Sequence, residues 1–150
     1  MGGYITKDFL GTTENYYYGI RRYPYSGDLG TSPLTYKDLD PAQLVIPAGI
    51  PNNGIFSGNP ADEVHAVGEI WCNALLECRS QLWNAGGLGF ASNDLMMQLA
   101  VDGMKLMPSN PNMLEARDGI LAADLAGFGG AHLGELWAGF AKRTLPCASL

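Results

Sequence analysis

Basic residues are scarce in this chain of 150 residues, where nine lysines and arginines stand against fifteen aspartates and glutamates and give a formal charge of -6. The longest basic runs are two pairs, Arg21-Arg22 and Lys142-Arg143. Proteins that bind nucleic acid neutralise its phosphates with clustered lysine and arginine. The composition therefore argues against a nucleic-acid partner.

Long apolar runs are also missing. No stretch reaches the ~18 to 20 apolar residues that a membrane span requires, although 47% of all residues are hydrophobic. The first ten residues, MGGYITKDFL, lack the basic start and the apolar core of a secretory signal. We expect no membrane partner, and the hydrophobic content is sufficient for the core of one domain.

Cysteine and histidine are too few for most metal or nucleophile sites. Cys72 and Cys78 would lie ~240° apart around a helix and so cannot bond to each other, while Cys147 leaves a free thiol or an intermolecular disulfide open. His65 and His132 are far apart in sequence, and the chain contains neither H-E-x-x-H nor C-x-x-C nor a phosphate-binding G-x-x-x-x-G-K motif. We predict no metal ligand among these residues.

Two regions of the chain differ in character. Residues 1–58 are rich in glycine, proline and tyrosine, and these residues interrupt the sequence too often for long regular elements. From residue 59 to residue 150, apolar residues recur at intervals of three and four, which is the pattern of helices. The predicted fold is mainly α, with an irregular segment that packs on a unit of four helices.

The first predicted helix begins with Asn59 as N-cap, Pro60 in the first helical position and acidic residues in the first turn. It should end at the glycines of NAGGLGF. Its apolar stripe, which we expect to face the core, consists of Val64, Val67, Trp71, Ala74, Leu75, Cys78 and Leu82.

Three shorter helices are predicted after it. The second runs from SND to Pro108, and its apolar side carries Met96, Leu99, Ala100, Gly103 and Met107. Asn110-Pro111 is predicted to start the third helix. The segment AGFGG separates it from the fourth, whose apolar side carries Leu133, Leu136, Trp137 and Phe140.

On residue type alone, the remaining candidate site residues have simple structural interpretations. His65, near a helix start, would be a hydrogen-bonded structural residue, and His132 would be a solvated residue at a helix cap. Arg21 and Arg22 would be surface charges stacked on neighbouring tyrosines. A functional role for any of them needs evidence beyond residue type.

Several longer segments, in the order GIRRYPYS, SPLTY, VHAVGEIW, NPNMLEARDGILAAD and LWAGFAKR, together resemble the C-terminal part of the fungalysin family of secreted zinc metalloendopeptidases. The resemblance covers residues 16–145. It implies one fragment of a thermolysin-like (gluzincin) peptidase domain, the helical subdomain that closes one wall of the substrate cleft. In this family the zinc ligands lie on an upstream H-E-x-x-H helix and a later glutamate, and neither segment occurs in this chain.

The resemblance also implies roles for individual residues. His65, with the valine before it, matches a Val-His pair whose imidazole stabilises the oxyanion of the tetrahedral intermediate, which makes it the candidate catalytic residue. Asp62 or Glu63 would orient its ring, although both also suit the start of a helix. Arg21 matches an arginine that donates a bidentate hydrogen bond to a substrate carbonyl. Whether Arg21 or Arg22 faces the cleft stays open.

For the whole protein, the resemblance implies Zn²⁺ with all its ligands outside this chain and none bound within it. The implied partners are a protein or peptide substrate and the upstream zinc-binding half of the same polypeptide, in an extracellular location. Ser109 and Gly134 stand where fungal members often carry cysteines, as if one disulfide were missing. The 150 residues alone are expected to be inactive.

An alternative belongs to another class of protein. The chain would then be a stand-alone, non-catalytic helical module that derives from such a peptidase and serves in binding or interaction. The apolar face that the zinc-binding half normally covers would be left open, and a homodimer of the isolated chain is one way to cover it.

Overall fold

A computed structural model describes residues 15–19, 21–40, 42, 49–52 and 64–146, and the regular structure within these ranges is helical. A single turn, Asn15–Tyr18, and a 3-10 turn, Tyr36–Leu39, come first. Four longer helices follow: α1 (Val64–Asn84), α2 (Ala91–Leu106), α3 (Met113–Phe128) and α4 (Leu133–Lys142). The predicted mainly α fold is confirmed over these residues, and none of their helices is long and apolar enough to cross a membrane.

The chain divides into two compact units, residues 1–73 and residues 74–150, with the boundary inside α1. Among the described residues of the first unit, the buried apolar side chains are Tyr18, Tyr23, Leu34, Ala66 and Ile70. Those of the second unit come from all four helices and include Ala74, Leu82, Leu99, Ile120, Leu136 and Phe140. Each unit therefore has its own core.

The buried face of α1 differs from the predicted stripe at the start of the helix. Val64 is 74% exposed, against the prediction, whereas Glu69 and Asn73 are each 1% exposed. Apolar periodicity misplaced this face because the two polar side chains are buried through hydrogen bonds with the preceding loop. Three members of the predicted stripe are fully buried further along: Ala74, Cys78 and Leu82.

The ends of α1 are only partly within the described residues, since the predicted start at Asn59 and Pro60 lies outside them. The predicted end is confirmed at Asn84. A Cβ on Gly86 would lie 2.8 Å from the Leu82 carbonyl oxygen, so the chain leaves the helix at a place where a side chain does not fit.

Helices α2 and α3 approach each other through glycines. A Cβ on Gly119 would lie 2.9 Å from the Gly103 carbonyl oxygen, and a Cβ on Gly103 would lie 3.0 Å from the backbone nitrogen of Ile120. The contact leaves no room for a side chain on either helix. The predicted inner side of α2 is confirmed, because Met96, Leu99 and Gly103 are buried.

The start of α3 corrects the prediction at Asn110. The N-cap is Asn112, whose side chain accepts hydrogen bonds from the backbone nitrogens of Leu114 and Glu115 at 2.9 and 3.0 Å. The Asn112 backbone nitrogen in turn donates to the Glu115 carboxylate at 2.9 Å, which completes a capping box. This reciprocal pair decides the start of the helix, and the Asn-Pro dipeptide before it does not.

These two asparagines give a direct test of the cap. Asn112→Ala should lower the free energy of unfolding by about 1 kcal/mol, because it removes an acceptor from two otherwise unpaired backbone donors. Asn110→Ala is the matched control and should change stability by less than about 0.5 kcal/mol. Urea denaturation followed by circular dichroism measures both, and equal effects would contradict the assignment.

Candidate functional site

A buried ion pair connects the loop after residue 20 to the first turns of α1. Glu69 accepts hydrogen bonds from the Arg22 backbone nitrogen at 2.5 Å and from Arg22 Nε at 2.6 Å. Arg22 Nη2 donates to the Ala66 carbonyl oxygen at 3.1 Å. The Arg22 and Glu69 side chains are 5% and 2% exposed. Both charges are therefore desolvated and paired, with three hydrogen bonds between loop and helix.

Polar contacts continue along the same helix. Ser32 Oγ lies 3.2 Å from Asn73 Oδ1 and donates to it, and Asn73 Nδ2 donates to the Glu69 carbonyl oxygen at 2.8 Å. Ser32 and Asn73 are buried. Because Glu69 and Asn73 are four residues apart, they lie one above the other on the helix. The loop thus docks on a polar strip of α1.

Arg21, the arginine predicted to bind substrate, lies immediately before this anchor and is half-buried. Its backbone nitrogen donates to the Tyr18 carbonyl oxygen at 3.1 Å. Its Nη1 atom is buried and has no hydrogen-bond partner in the described part of the chain. A buried guanidinium donor without an acceptor costs free energy until a ligand or another chain segment supplies one.

Tyr25 contacts both Arg21 and the exposed Cys72 of α1. Burial raises the pKa of Tyr25 to about 12, the neighbouring Cys72 thiol adds to the rise, and the Arg21 guanidinium opposes it. The phenol is therefore neutral at physiological pH. The Arg21 side chain is thus hydrogen-bonded to a neutral hydroxyl.

His65 lies in the first described turn of α1 and is exposed. His65, Glu69 and Cys72 recur at positions i, i+4 and i+7, so they share one face of the helix. Arg22, which follows Arg21, bonds to the carbonyl of Ala66, which follows His65. Within the first unit, the residue after Arg21 is therefore hydrogen-bonded to the residue after His65. Asp62, predicted to orient His65, lies outside the described residues.

These contacts bear on whether Arg21 or Arg22 faces the substrate cleft. The Arg22 side chain is committed to Glu69 and Ala66. Arg21 retains a buried nitrogen without an acceptor among the described residues. Sequence reasoning missed Glu69, although a glutamate one helical turn after His65, within an otherwise apolar run, was a detectable signal.

The second histidine corrects another prediction. His132 is the N-cap residue of α4, as its position suggested, but its side chain is not merely solvated. Its Nδ1 lies 2.7 Å from Oδ1 of Asp124, which is 0% exposed, and its backbone nitrogen donates to Oδ2 of the same carboxylate at 3.0 Å. The contact joins the end of α3 to the start of α4. His132 is therefore a structural residue of the second unit.

The second unit contains a further buried carboxylate on α1. Glu77 is 1% exposed, accepts a hydrogen bond from Lys142 Nζ at 2.7 Å and lies 3.6 Å from Arg143 Nη2. Cys78, the next residue, is a free thiol whose pKa is raised well above its usual range by burial. The thiol is consequently protonated and unreactive at neutral pH. Cys72 is also free, and Cys147 lies outside the described residues.

A metal site cannot be built from the described residues, where no three of the side chains of histidine, cysteine, aspartate and glutamate cluster closely enough to hold an ion. In the ion pairs described above, the carboxylates are already paired with arginine, histidine or lysine. Zinc sites require three or four converging nitrogen, sulfur or oxygen ligands. These residues do not fit a zinc centre.

Comparison with known proteins agrees with the segments that first suggested a family. The family model of the fungalysin metallopeptidases (M36) matches residues 1–148. This chain belongs to the fungalysin family. It is 40% identical over 143 residues to an extracellular metalloproteinase of Fusarium vanettenii and 39% identical over 142 residues to one of Aspergillus flavus. Extracellular metalloproteinase 1 of Trichophyton equinum is 37% identical over 142 residues.

The alignments cover very different shares of this chain and of the three relatives. The aligned region is 85% of this chain and 19 to 20% of these three relatives, so the chain spans about a fifth of the length of the curated proteins it matches.

Proposed function

We propose that this chain is the C-terminal helical part of a zinc-dependent metalloendopeptidase and contributes His65 and Arg21 to its substrate cleft. One observation carries the proposal. Arg21, whose Nη1 lacks an acceptor in the described residues, lies in a loop that is hydrogen-bonded to the helical turn next to His65. Membership of the fungalysin family supplies the reaction class, hydrolysis of peptide bonds.

His65 acts as the donor to the oxyanion of the tetrahedral intermediate. An exposed imidazole at the beginning of a helix is accessible to substrate, and its ring can donate a hydrogen bond to charge that develops only in the transition state. Asp62, three residues earlier in the sequence, is the residue that we propose orients the ring.

Arg21 binds the substrate backbone. A guanidinium presents two parallel N–H donors, which match a carbonyl oxygen and a neighbouring acceptor better than an ammonium does. Its Nη1 has no acceptor among the described residues, so this donor is not committed to another group of that part of the chain and we assign it to a substrate carbonyl. Arg22 serves the fold instead, through Glu69.

The remaining parts of the site come from the rest of the polypeptide. The sequence contains no H-E-x-x-H motif and the described residues hold no cluster of metal-binding side chains, so we place the zinc ligands and the general base outside these 150 residues, in the part of the protein that the relatives carry. Zinc, when bound there, supplies the Lewis acid of the reaction. The partners of this chain are then a peptide or protein substrate and the zinc-binding half, the location is extracellular, and the 150 residues alone are inactive.

The proposed contact of Arg21 predicts a defined kinetic change. Arg21→Lys in the complete enzyme keeps the charge but loses the fork, so kcat/KM for a peptide substrate should fall about tenfold, mainly through KM. Arg79→Lys is the matched control, because Arg79 bonds to Asn93 and stacks on Trp83 in the second unit. An unchanged kcat/KM for Arg21→Lys would exclude the carbonyl contact.

A further inference from the structure

We propose that Glu69 is a positioning residue of the peptidase, which holds Arg21 in place through Arg22 and sets its register against the His65 turn. This inference rests on the proposed function. It assigns a role to a buried carboxylate that touches neither substrate nor metal and acts through its hydrogen bonds alone.

Two hydrogen bonds fix the backbone on either side of Arg21. The peptide group between Arg21 and Arg22 contains the Arg22 N–H, which donates to Glu69 Oε1 at 2.5 Å. The preceding peptide group contains the Arg21 N–H, which donates to Tyr18 at 3.1 Å. Because each peptide group is planar, fixing both N–H vectors fixes the direction in which the Arg21 side chain leaves the backbone. Glu69 supplies one of these two constraints.

The same carboxylate also connects this backbone to helix α1. Glu69 Oε2 also accepts from Arg22 Nε at 2.6 Å, and this guanidinium donates from Nη2 to the Ala66 carbonyl at 3.1 Å. Ala66 is the residue after His65, and Glu69 is one turn further along the same helix face. One ion pair therefore connects the peptide group next to Arg21 with the helical turn that carries His65.

The Arg22–Glu69 ion pair contributes more to geometry than to stability. Burying an ion pair is a weak way to stabilise a fold, because the desolvation of two charges offsets most of their attraction and apolar side chains of similar volume do as well. The Glu69 carboxylate, however, accepts from the Arg22 backbone nitrogen through Oε1 and from Arg22 Nε through Oε2, and two charge-assisted hydrogen bonds to one residue allow few alternative geometries. The pair at Arg22 and Glu69 thus fixes geometry at the place where the proposed site needs it.

The test is a double-mutant cycle in the complete enzyme, with kcat and KM measured separately on one peptide substrate. Glu69→Gln keeps the side-chain volume but removes the charge and one acceptor. We expect its kcat/KM to fall about tenfold, mostly in KM, as for Arg21→Lys. The double variant Arg21→Lys/Glu69→Gln should be within about twofold of Arg21→Lys alone, because both changes remove the same substrate contact.

Glu77→Gln is the matched control, since Glu77 lies on the same helix, is equally buried at 1% and pairs with Lys142 and Arg143. It should lower the unfolding midpoint to a similar extent and leave kcat and KM within about twofold of the parent. If Glu69→Gln does not fold, Arg22→Lys tests the connection between the loop and the helical turn that carries His65, because it keeps the backbone bond to Glu69 and loses the Nε and Nη2 bonds; the same rise in KM is expected, and an unchanged KM would contradict this connection.

The outcomes distinguish the two proposals. Suppose that Arg21→Lys lowers kcat/KM as expected and that the double variant loses a further factor equal to the loss in Glu69→Gln alone. This result would overturn the positioning role of Glu69 and leave the proposed function intact. A Glu69→Gln enzyme that loses stability but keeps its KM would do the same. An Arg21→Lys enzyme with unchanged kinetics would overturn the role of Arg21 itself, and the inference on Glu69 with it.

Discussion

Replacing His65 by alanine in the complete enzyme is expected to lower kcat by about a hundredfold or more, with KM and zinc content unchanged. A preorganised donor to an oxyanion is worth about 3 to 4 kcal/mol in the transition state and little in the ground state, so its removal acts on kcat. Because the described residues include no metal cluster, the zinc content should not depend on this side chain.

The chain offers a matched control for this experiment in its second histidine. His132→Ala removes an imidazole that is bound to the buried Asp124 and belongs to the second unit, so it should lower the unfolding midpoint and leave kcat within about twofold. Near-normal turnover of the His65→Ala enzyme would return His65 to a structural role. Equal losses in both variants would point to general damage to the fold.

The largest effect on stability is expected at Gly139. A Cβ at this position would lie 2.4 Å from Cys78 Cα, 2.5 Å from the Cys78 backbone nitrogen and 2.8 Å from Sγ. The obstruction is mainly backbone, so no side-chain rotation relieves it and α4 must move away from α1 within the second unit. Gly139→Ala should therefore lower the free energy of unfolding by about 3 kcal/mol or more.

Gly134 provides the control for Gly139 on the same helix. Its added Cβ meets nothing within 4 Å, so Gly134→Ala should be neutral or stabilise the protein by up to about 1 kcal/mol through the better helix propensity of alanine. Urea denaturation with a circular dichroism readout compares the two variants. Equal stability of Gly139→Ala and the parent would show that the helices are not packed as described.

The helices could be predicted from sequence because their signals are local. Glycines and prolines mark the ends of α1 and α2, and the spacing of Leu136 and Phe140 correctly placed the inner side of α4. At the start of α3 two local signals compete: Asn110 precedes a proline, but only Asn112 has a glutamate three residues later that completes a capping box, and this second signal is the stronger one.

The site could be predicted only in part, because its organisation depends on contacts between distant residues. Glu69 and Arg22 are 47 positions apart, and nothing local to either of them indicates that they pair. The same holds for His132, whose bond to the buried Asp124 depends on how the chain turns between α3 and α4. Charged and titratable residues are usually exposed, so the sequence alone predicts that such side chains are solvated. The fold shows that they are buried and paired.

Family resemblance added what residue types could not supply. It singled out His65 and Arg21 from a chain with two histidines and nine basic residues. The contacts of Arg22 then supported the choice of Arg21, because they commit the neighbouring guanidinium to Glu69. The roles of both residues in the reaction remain proposals that kinetics must test.

The most direct test of the central claim is peptide hydrolysis by the complete polypeptide and by the 150 residues alone, each with chelator and after zinc is restored. We predict zinc-dependent cleavage by the complete protein and none by the 150 residues under either condition. Cleavage by the 150 residues alone, or a complete protein that binds peptide but does not hydrolyse it with zinc, would contradict this account and favour an independent enzyme or a binding module, respectively.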